Sequence, residues 1–291
     1  MGFASIGAIA RRPLPRREKR RRFLATVFDH TLLVAGAAIF LVPVAFIVLT
    51  SLMTDQQALT DQLWPQPFQW SNYSTVWTNF PMVQYTTNTL IIAVTTTIGT
   101  VLSCVPVAYA LARLRWRGRQ FAFVLVLATF MLPTQVTLIP LYVLFVRLGW
   151  VNTFLPLIVP SFFGDAFSIF LLRQFFLTIP DEYSDAARVD GANEFQIMIR
   201  VIVPMAKSAV ATIALFNFLW AWNDFFGPKV YLQDSKLYTL ALGLSEFRGL
   251  HHVDWNLTLA ASMLVTAPVI VIFFMAQKVF MEGVTLTGVK G

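Results

Sequence analysis

The sequence has little charge and almost no cysteine. Only 13% of its 291 residues are Asp, Glu, Lys or Arg, against about 25% in an ordinary soluble domain. The single cysteine, Cys104, stands inside an apolar run, which excludes an intrachain disulfide and a metal site built from thiolates. With 57% hydrophobic residues and a mean hydropathy of +0.65, the chain is too apolar for two soluble domains and long enough for several membrane spans.

Signatures of nucleotide and metal binding are absent as well. The Lys-Ser pair at 207–208 lacks the glycines of a Gly-x-x-x-x-Gly-Lys-Ser/Thr phosphate loop. The three histidines, His30, His251 and His252, have no metal-ligand spacing to a carboxylate. The sequence therefore predicts a chain that binds no ATP, holds no metal and has no catalytic residues of its own, so any energy source must be another chain.

Long apolar runs separated by polar segments make up most of the sequence. Their lengths suit transmembrane helices, which need about 20 residues each, and Pro43, Pro133 and Pro140 are expected to kink or interrupt them. The segment 54–87 has no Lys or Arg and many aromatics, as an outer interfacial loop with short helices would. The predicted fold is an all-α integral membrane protein with six spans. These spans are 28–52, 88–114, 121–145, 153–172, 201–226 and 257–279.

The distribution of basic residues predicts the orientation. Of the 22 Lys and Arg residues, 18 fall in segments that this topology places on one side of the membrane, and cytoplasmic loops carry the excess of such residues. Both termini are therefore predicted to be cytoplasmic. We expect a basic tail at 1–27, a transmembrane domain at 28–281 and a C-terminal tail at 282–291. Despite the net charge of +7, the nearest partner of the basic tail is anionic membrane lipid rather than nucleic acid.

A polar stretch at 181–204, DEYSDAARVDGANEFQIMIRVIVP, stands between two of the apolar runs. The Pro-Asp pair at 180–181 is typical of a helix start, since proline ends the preceding run and acids favour a helix N-terminus. Gly191 can supply a turn between two short helices. The small residues Ala186 and Ala187 allow another surface to approach the backbone closely. The stretch therefore predicts a helical element that contacts a partner in the aqueous phase.

The spacing in this stretch resembles the EAA motif of bacterial ATP-binding-cassette importer permeases. That motif reads Glu-Ala-Ala, three residues, Gly, nine residues, Ile-x-Leu-Pro. Here aspartate replaces the glutamate and valines replace the isoleucine and the leucine, while the spacing is intact. In that family the loop forms the coupling helix, which docks in a groove of the cytoplasmic ATPase. The resemblance implies this role for Asp185, Ala186, Ala187, Arg188, Gly191 and Pro204.

Residues 171–183, the Trp-Asn-Asp-Phe run at 222–225 and the closing Gly-Val-Lys-Gly resemble carbohydrate-importer permeases of the maltose and glycerol-phosphate type. The resemblance implies a subunit of an ATP-driven sugar importer in the bacterial inner membrane. It implies a second, different permease chain, a dimer of cytoplasmic ATPases that binds ATP and Mg, and an extracytoplasmic solute-binding protein or lipoprotein. Oligosaccharides and glycerophosphodiesters both remain open as substrates.

Two aspartates, Asp165 and Asp224, stand in or beside predicted spans. An aspartate at mid-membrane costs about 2.5–3.5 kcal/mol, so each should face a water-filled cavity or a partner. A wall of aromatic rings, amides and carboxylates suits a sugar, because the rings cover its apolar face and the polar groups bond its hydroxyls. The alternatives are that Asp165 bonds a neighbouring helix and that Asp224 lies at the outer interface. The tryptophans could equally be interfacial anchors. The candidate pathway residues are Asp165, Asn217, Trp220, Trp222, Asn223 and Asp224.

Two other classes are possible alternatives. An intramembrane aspartyl protease needs a Gly-x-Gly-Asp motif, but Phe-Phe-Gly precedes Asp165. An ion-coupled secondary transporter would tend to show internal repeats with paired broken helices, and no clear repeat relates 28–145 to 153–279. An importer permease remains the best interpretation.

Overall fold

The computed structural model describes residues 16–245 and 254–288, and the regular structure of that part of the chain is helical throughout. The basic residues before position 16, the histidines at 251–252 and the last three residues lie outside the described part. In chain order the α-helices are α1 (Arg16–Ser51), α2 (Asp55–Ala58), α3 (Ser71–Asn79), α4 (Met82–Ala112), α5 (Arg119–Phe130), α6 (Thr134–Arg147), α7 (Leu155–Ile158), α8 (Ala166–Thr178), α9 (Glu182–Val189), α10 (Glu194–Ile197), α11 (Val203–Met205), α12 (Lys207–Asn223), α13 (Phe226–Tyr231), α14 (Leu240–Leu244) and α15 (Trp255–Gly288).

Four stretches in the described part are long and apolar enough to cross a membrane without a sharp bend. Two further pairs of helices pass the same test but are bent, by 93° between α5 and α6 and by 82° between Glu194–Met205 and α12. Six crossings result when each bent pair is one span, as the apolar runs predicted. The four unbent spans are Leu24–Ser51, Met82–Ala112, Leu155–Thr178 and Trp255–Met275.

The predicted third span is broken at one of its two prolines. Helix α5 ends at Phe130, and Pro133 stands just before α6 in an extended conformation. Pro140 lies inside α6 and Pro43 inside α1, and both helices continue past them. Of these three prolines, Pro133 alone therefore coincides with a break between helices.

The predicted fourth and fifth spans have different limits in the structure. The fourth extends to Thr178, so Arg173 lies within α8 and is buried rather than following the span. It is broken at Gly164, whose φ of +95° suits a residue without a side chain. The straight part of the fifth, α12, begins at Lys207, because the chain bends sharply at Ala206.

The segment predicted to be an outer loop contains the short helices α2 and α3. Thr54 and Gln57 form a capping box at the start of α2. The buried Asn72 amide donates to the carbonyl oxygens of Ser51 at 2.9 Å and Met53 at 2.8 Å. Ser51 is the last residue of α1 and Met53 follows it, so neither carbonyl has a partner within that helix. Asn72 therefore fixes the segment against the end of α1.

Two clusters of buried apolar residues form the core, one at each end of α4. The first joins α4 to α5, α8, the 181–204 segment and α12, with Leu172, Phe176 and Ile197 fully buried. The second joins the start of α4 to α3, α14, α15 and the end of α12. Helix α4 also packs along both α8 and α12. It is therefore the helix around which the bundle is arranged.

Gly99 lies where α4 crosses the 3₁₀ turn Val159–Phe163. A Cβ atom at this position would lie 2.7 Å from the Phe162 ring and from Ser161 Oγ. Gly99→Val should therefore overpack the crossing and destabilise the chain by about 1–3 kcal/mol. Gly36→Val is the matched control, since a Cβ at this helical glycine meets nothing within 4 Å. Thermal unfolding of the detergent-solubilised chain measures both, and equal midpoints would contradict the close approach.

Candidate coupling segment and solute cavity

The 181–204 stretch, here called the motif segment, folds as two short helices with a glycine turn. Helix α9 ends at Val189, and Gly191 follows with a φ of +82°. The Gly191 amide donates to Arg188 O at 3.0 Å, and the Ala192 amide donates to Ala187 O at 3.0 Å. This pair of bonds is the Schellman motif, which needs a left-handed residue at the position of Gly191. The predicted turn is therefore present with its expected geometry.

The second half of the motif segment leads into α12 through irregular helix. Asn193 and Gln196 form a capping box at the start of α10. A π-helical turn, Met198–Ile202, and the short α11 follow. Pro204 lies in α11, and the 82° bend into α12 comes two residues later, at Ala206.

A charged network joins the two halves of the motif segment and attaches them to α4. The Arg188 guanidinium donates to Asp185 Oδ1 at 2.6 Å and to Glu194 Oε1 at 2.8 Å. The Tyr109 hydroxyl donates to Glu194 Oε2 at 2.6 Å. The hydrogen bond with Glu194, more than any other contact, raises the pKa of Arg188. Sequence analysis gave no role to Tyr109 or Glu194, because contacts between distant segments leave no local pattern.

Several apolar side chains of the motif segment are exposed. Val189 is 88% exposed and Phe195 is 66% exposed, while Tyr183 and Ala186 lie on the same side of α9 at a spacing of three residues. Ala187 differs from Ala186, since it is half-buried and packs against the first core cluster. These exposed apolar side chains are candidates for contact with another chain, since a contiguous apolar patch on a surface typically marks an interaction site.

Arg113, at the end of α4, contacts the start of the motif segment. Its guanidinium donates to Ile179 O at 2.6 Å, to Pro180 O at 3.1 Å and to Ser184 Oγ at 2.9 Å, and it lies 3.0 Å from Asp181 Oδ1. Only 4% of the Arg113 side chain is exposed. Arg113 entered the sequence analysis only as one of the 18 basic residues that indicate the orientation, so this contact was missed.

An open cavity of about 500 Å³ lies between α4, the 3₁₀ turn and the end of α12. Four predicted pathway residues line it: Asn217, Trp220, Asn223 and Asp224. Trp220 is 82% exposed, so its ring is available for contact with a solute. The remaining lining residues are Thr96, Leu157, Ser161, Ala221, Phe225 and Phe226.

The polar groups of this cavity have different local partners. The Asn217 amide donates to Thr100 Oγ1 at 2.9 Å, so it links α12 to α4. Asn223 is exposed, and its amide donates to Leu219 O within its own helix. Asp224 is half-buried, and its Oδ1 accepts from the Gly227 amide at 3.1 Å. A carboxylate oxygen has more than one lone pair, so Asp224 can accept a solute hydroxyl as well.

Two predicted pathway residues do not line the cavity. Trp222 is 2% exposed, packs in the second core cluster and donates from Nε1 to Val265 O at 3.4 Å. Positions 220 and 222 are two residues apart, so they point to different sides of α12. Asp165 precedes α8 and accepts from the Ser168 amide at 2.7 Å, which makes it a helix cap. These placements favour a structural role for both residues.

The part of the chain that the structure describes contains no group of three or more His, Cys, Asp or Glu residues arranged to hold a metal ion. The described residues instead form an exposed helical element at one end of the bundle and a cavity farther along α4.

Known proteins resemble this chain over most of its length. The family model described as a binding-protein-dependent transport system inner membrane component matches residues 104–285. A probable ABC transporter permease of Bacillus subtilis strain 168, YurM, is 32% identical over 259 residues, which are 87% of this chain and 86% of the relative. The arabinooligosaccharide transport system permease AraQ of the same organism is 34% identical over 204 residues, 70% of this chain and 72% of the relative.

A solved structure agrees with these relatives. A chain in the crystal structure of a bacterial ABC transporter involved in the import of the acidic polysaccharide alginate matches with a TM-score of 0.78 and 26% identity. The match covers 91% of this chain and 99% of that one. The predicted importer-permease fold is thereby confirmed, and the protease and secondary-transporter alternatives are set aside. The chain belongs to the membrane-embedded permease family of binding-protein-dependent transport systems.

Proposed function

We propose that this chain forms half of the translocation pathway of an ATP-driven importer for neutral oligosaccharides and couples that pathway to a cytoplasmic ATPase. The observation that carries the proposal is the motif segment, an exposed two-helix element with the EAA spacing and the Gly191 turn. The relative that transports arabinooligosaccharides supports a sugar as the solute.

Several partners belong to this proposal. The family description supports a separate solute-binding protein, and the ABC permease names of the relatives support a dimer of ATPases that binds ATP and Mg. A second permease chain would supply the other half of the pathway. Membrane lipid would contact α1, whose apolar side chains are largely exposed.

The proposed location is the bacterial inner membrane, with both termini in the cytoplasm. Arg173 is buried within α8, so it is not a loop residue and is not counted as evidence for the orientation. The other 17 Lys and Arg residues of the predicted cytoplasmic segments still outnumber the four on the opposite side. This orientation puts the motif segment on the side where ATPases work.

Coupling would operate through the exposed side chains of the motif segment. The groove of an ATPase would cover Val189, Phe195 and Ala186, and a displacement of the ATPase would displace both short helices. The Schellman turn at Gly191, together with the bonds of Tyr109 and Arg188 to Glu194, would make α9 and α10 move as one element. The roles that the EAA resemblance implies for Asp185 and Arg188 are then to keep the docking element rigid.

Gly191 tests the coupling role, and Gly149 is its matched control. Gly191→Val forces a β-branched residue to a φ of +82°, at a strain of about 1–2 kcal/mol. It should distort the turn and lower transport by the reconstituted importer at least tenfold. Gly149 has a φ of +70° and the same pair of turn bonds after α6, and a Cβ at either glycine meets nothing within 4 Å. Gly149→Val should retain transport, and equal transport by both variants would reject the docking role.

Substitutions at Asp224 test whether the cavity binds the solute. Asp224→Asn retains an acceptor for the Gly227 amide, whereas Asp224→Leu removes that acceptor. The Leu variant also leaves a solute hydroxyl without a partner, which costs about 1–3 kcal/mol of binding free energy. We expect partial uptake at limiting sugar for Asn and a ten- to hundredfold loss for Leu. Asp234→Leu is the control, because that aspartate also accepts a backbone amide, from Lys236 at 2.9 Å, but does not line the cavity. Unimpaired uptake by both Asp224 variants would remove Asp224 from the pathway.

The charge of the cavity supports a neutral solute. Among the described residues that line it, Asp224 is the one charged side chain, and it is acidic. An anionic sugar close to this carboxylate would be repelled, and the repulsion grows as water is excluded from between the two charges. In competition assays a neutral oligosaccharide should therefore inhibit uptake far better than its uronate counterpart. Asp224→Asn should reduce the difference in inhibition between the neutral oligosaccharide and the uronate. An importer that prefers the uronate would contradict the proposal.

A further inference from the structure

Arg113 binds the free backbone carbonyls that follow α8. Its Nη1 donates to Ile179 O at 2.6 Å and makes a longer bond of 3.4 Å to Phe176 O, while Nη2 donates to Pro180 O at 3.1 Å. The last carbonyls of a helix have no partner within the helix and carry its partial negative charge. A guanidinium suits this position because its five donors are fixed in one plane.

A second arginine makes the opposite contact. Arg173, within α8, donates from Nε to Leu111 O at 3.1 Å, in the last turn of α4. Its guanidinium carbon lies 3.9 Å from the centre of the Phe123 ring, so the same side chain also holds α5. Each of α4 and α8 thus supplies an arginine that binds carbonyls at the end of the other helix.

The carbonyl contacts hold these ends together more than the ion pair does. The Asp181 carboxylate that pairs with Arg113 is 70% exposed, and exposed ion pairs contribute little. The accepting residues Phe176, Ile179 and Leu111 are buried, where hydrogen bonds from a charged donor are stronger. Arg113 Nη2 also reaches Ser184 Oγ at 2.9 Å, which extends the contact into α9.

Helix α4 connects this end of the bundle to the cavity. Thr96 lines the cavity, and Arg113, which caps the end of α4, follows it by 17 positions, about 25 Å at the helical rise. Pro106 lies between them, and α4 continues past it. We infer that Arg113 and Arg173 form a clasp that makes α4, α8 and the start of α9 one rigid unit. Movement of the motif segment then displaces the wall of the cavity. Arg113 is the positioning residue of this unit, and the inference rests on the coupling function proposed above.

A distance measurement between spin labels tests the clasp directly. Labels go on Val83, 66% exposed at the far end of α4, and on Glu182, exposed in α9, in a Cys104→Ser background. In the assembled importer the distance between them should stay constant between nucleotide-free and ATP-bound states, because both ends belong to one unit. With Arg113→Ala the distribution should broaden or shift between these states. A wild-type distance that changes on ATP binding would overturn the clasp.

Transport per ATP hydrolysed provides the second readout. Arg113→Ala should retain basal ATP hydrolysis of the complex and lose at least tenfold in solute moved per ATP, while Arg113→Lys should restore part of it. Arg117→Ala is the control, since Arg117 is exposed and has no hydrogen bond or ion pair to the residues that the structure describes. A wild-type ratio for Arg113→Ala would reject the inference.

Two outcomes separate this inference from the proposed function. If Arg113→Ala prevents assembly, the clasp is tested with Arg113→Lys in the labelled chain in detergent. The distribution of the distance between the labels should then be broader than in the wild-type chain. A distribution of wild-type width rejects the clasp. If the clasp fails these tests while Gly191→Val still uncouples transport, the motif segment couples by another route. If Gly191→Val transports normally, the coupling function itself fails, whatever the labels report.

Discussion

The structure depends on how its interrupted helices satisfy their free backbone groups. In a bilayer an unpaired amide or carbonyl has no water to bind, so breaks are tolerated only where protein groups replace the missing bonds. At the break before α8 the Asp165 carboxylate binds the Ser168 amide, and the Asp165 amide donates to Cys104 Sγ at 3.2 Å. Ser103 Oγ donates to Ser161 O at 3.0 Å on the other side of the same break. Two adjacent residues of α4 thus stabilise the irregular part of the fourth span.

This requirement explains why polar residues occur within apolar runs. Asp165 looked like a pathway residue because a carboxylate in a continuous helix would need a water-filled cavity. The helix is not continuous there, so the carboxylate has a backbone partner. The interruption has a weak signal in the sequence, Gly164 followed by an aspartate, which is also how many helices begin. In such a span a Gly-Asp pair is better read as a break with a new helix than as one continuous helix.

The parts predicted well from the sequence are those with local causes. The number of crossings follows from apolar length, and the turn at Gly191 follows from the conformation that glycine allows. Trp222 is buried and Trp220 is exposed, a separation that helical periodicity already indicates for residues two positions apart. Tyr109, Glu194 and Arg113 could not be assigned, because their roles come from contacts between segments that are 63 or more positions apart. Local rules therefore predict the elements, while the contacts that fix their mutual positions need the three-dimensional structure.

The motif segment meets the rest of the chain in two different ways. On the side of α4, the buried side chains of Arg113 and Tyr109 donate to Ser184 Oγ and Glu194 Oε2 of the motif segment. On the side of α12, it connects through a π-helical turn and an 82° bend at Ala206, where the regular hydrogen-bond pattern is interrupted. Helix α4 continues past its one internal proline, Pro106, whereas the helix before α12 contains a π-helical turn, a feature that is frequent at functional sites. A displacement of the motif segment therefore displaces α4, whereas the interrupted helix before α12 bends instead. Both helices reach the cavity, through Thr96 and Asn217, so unequal displacement of these helices changes its shape.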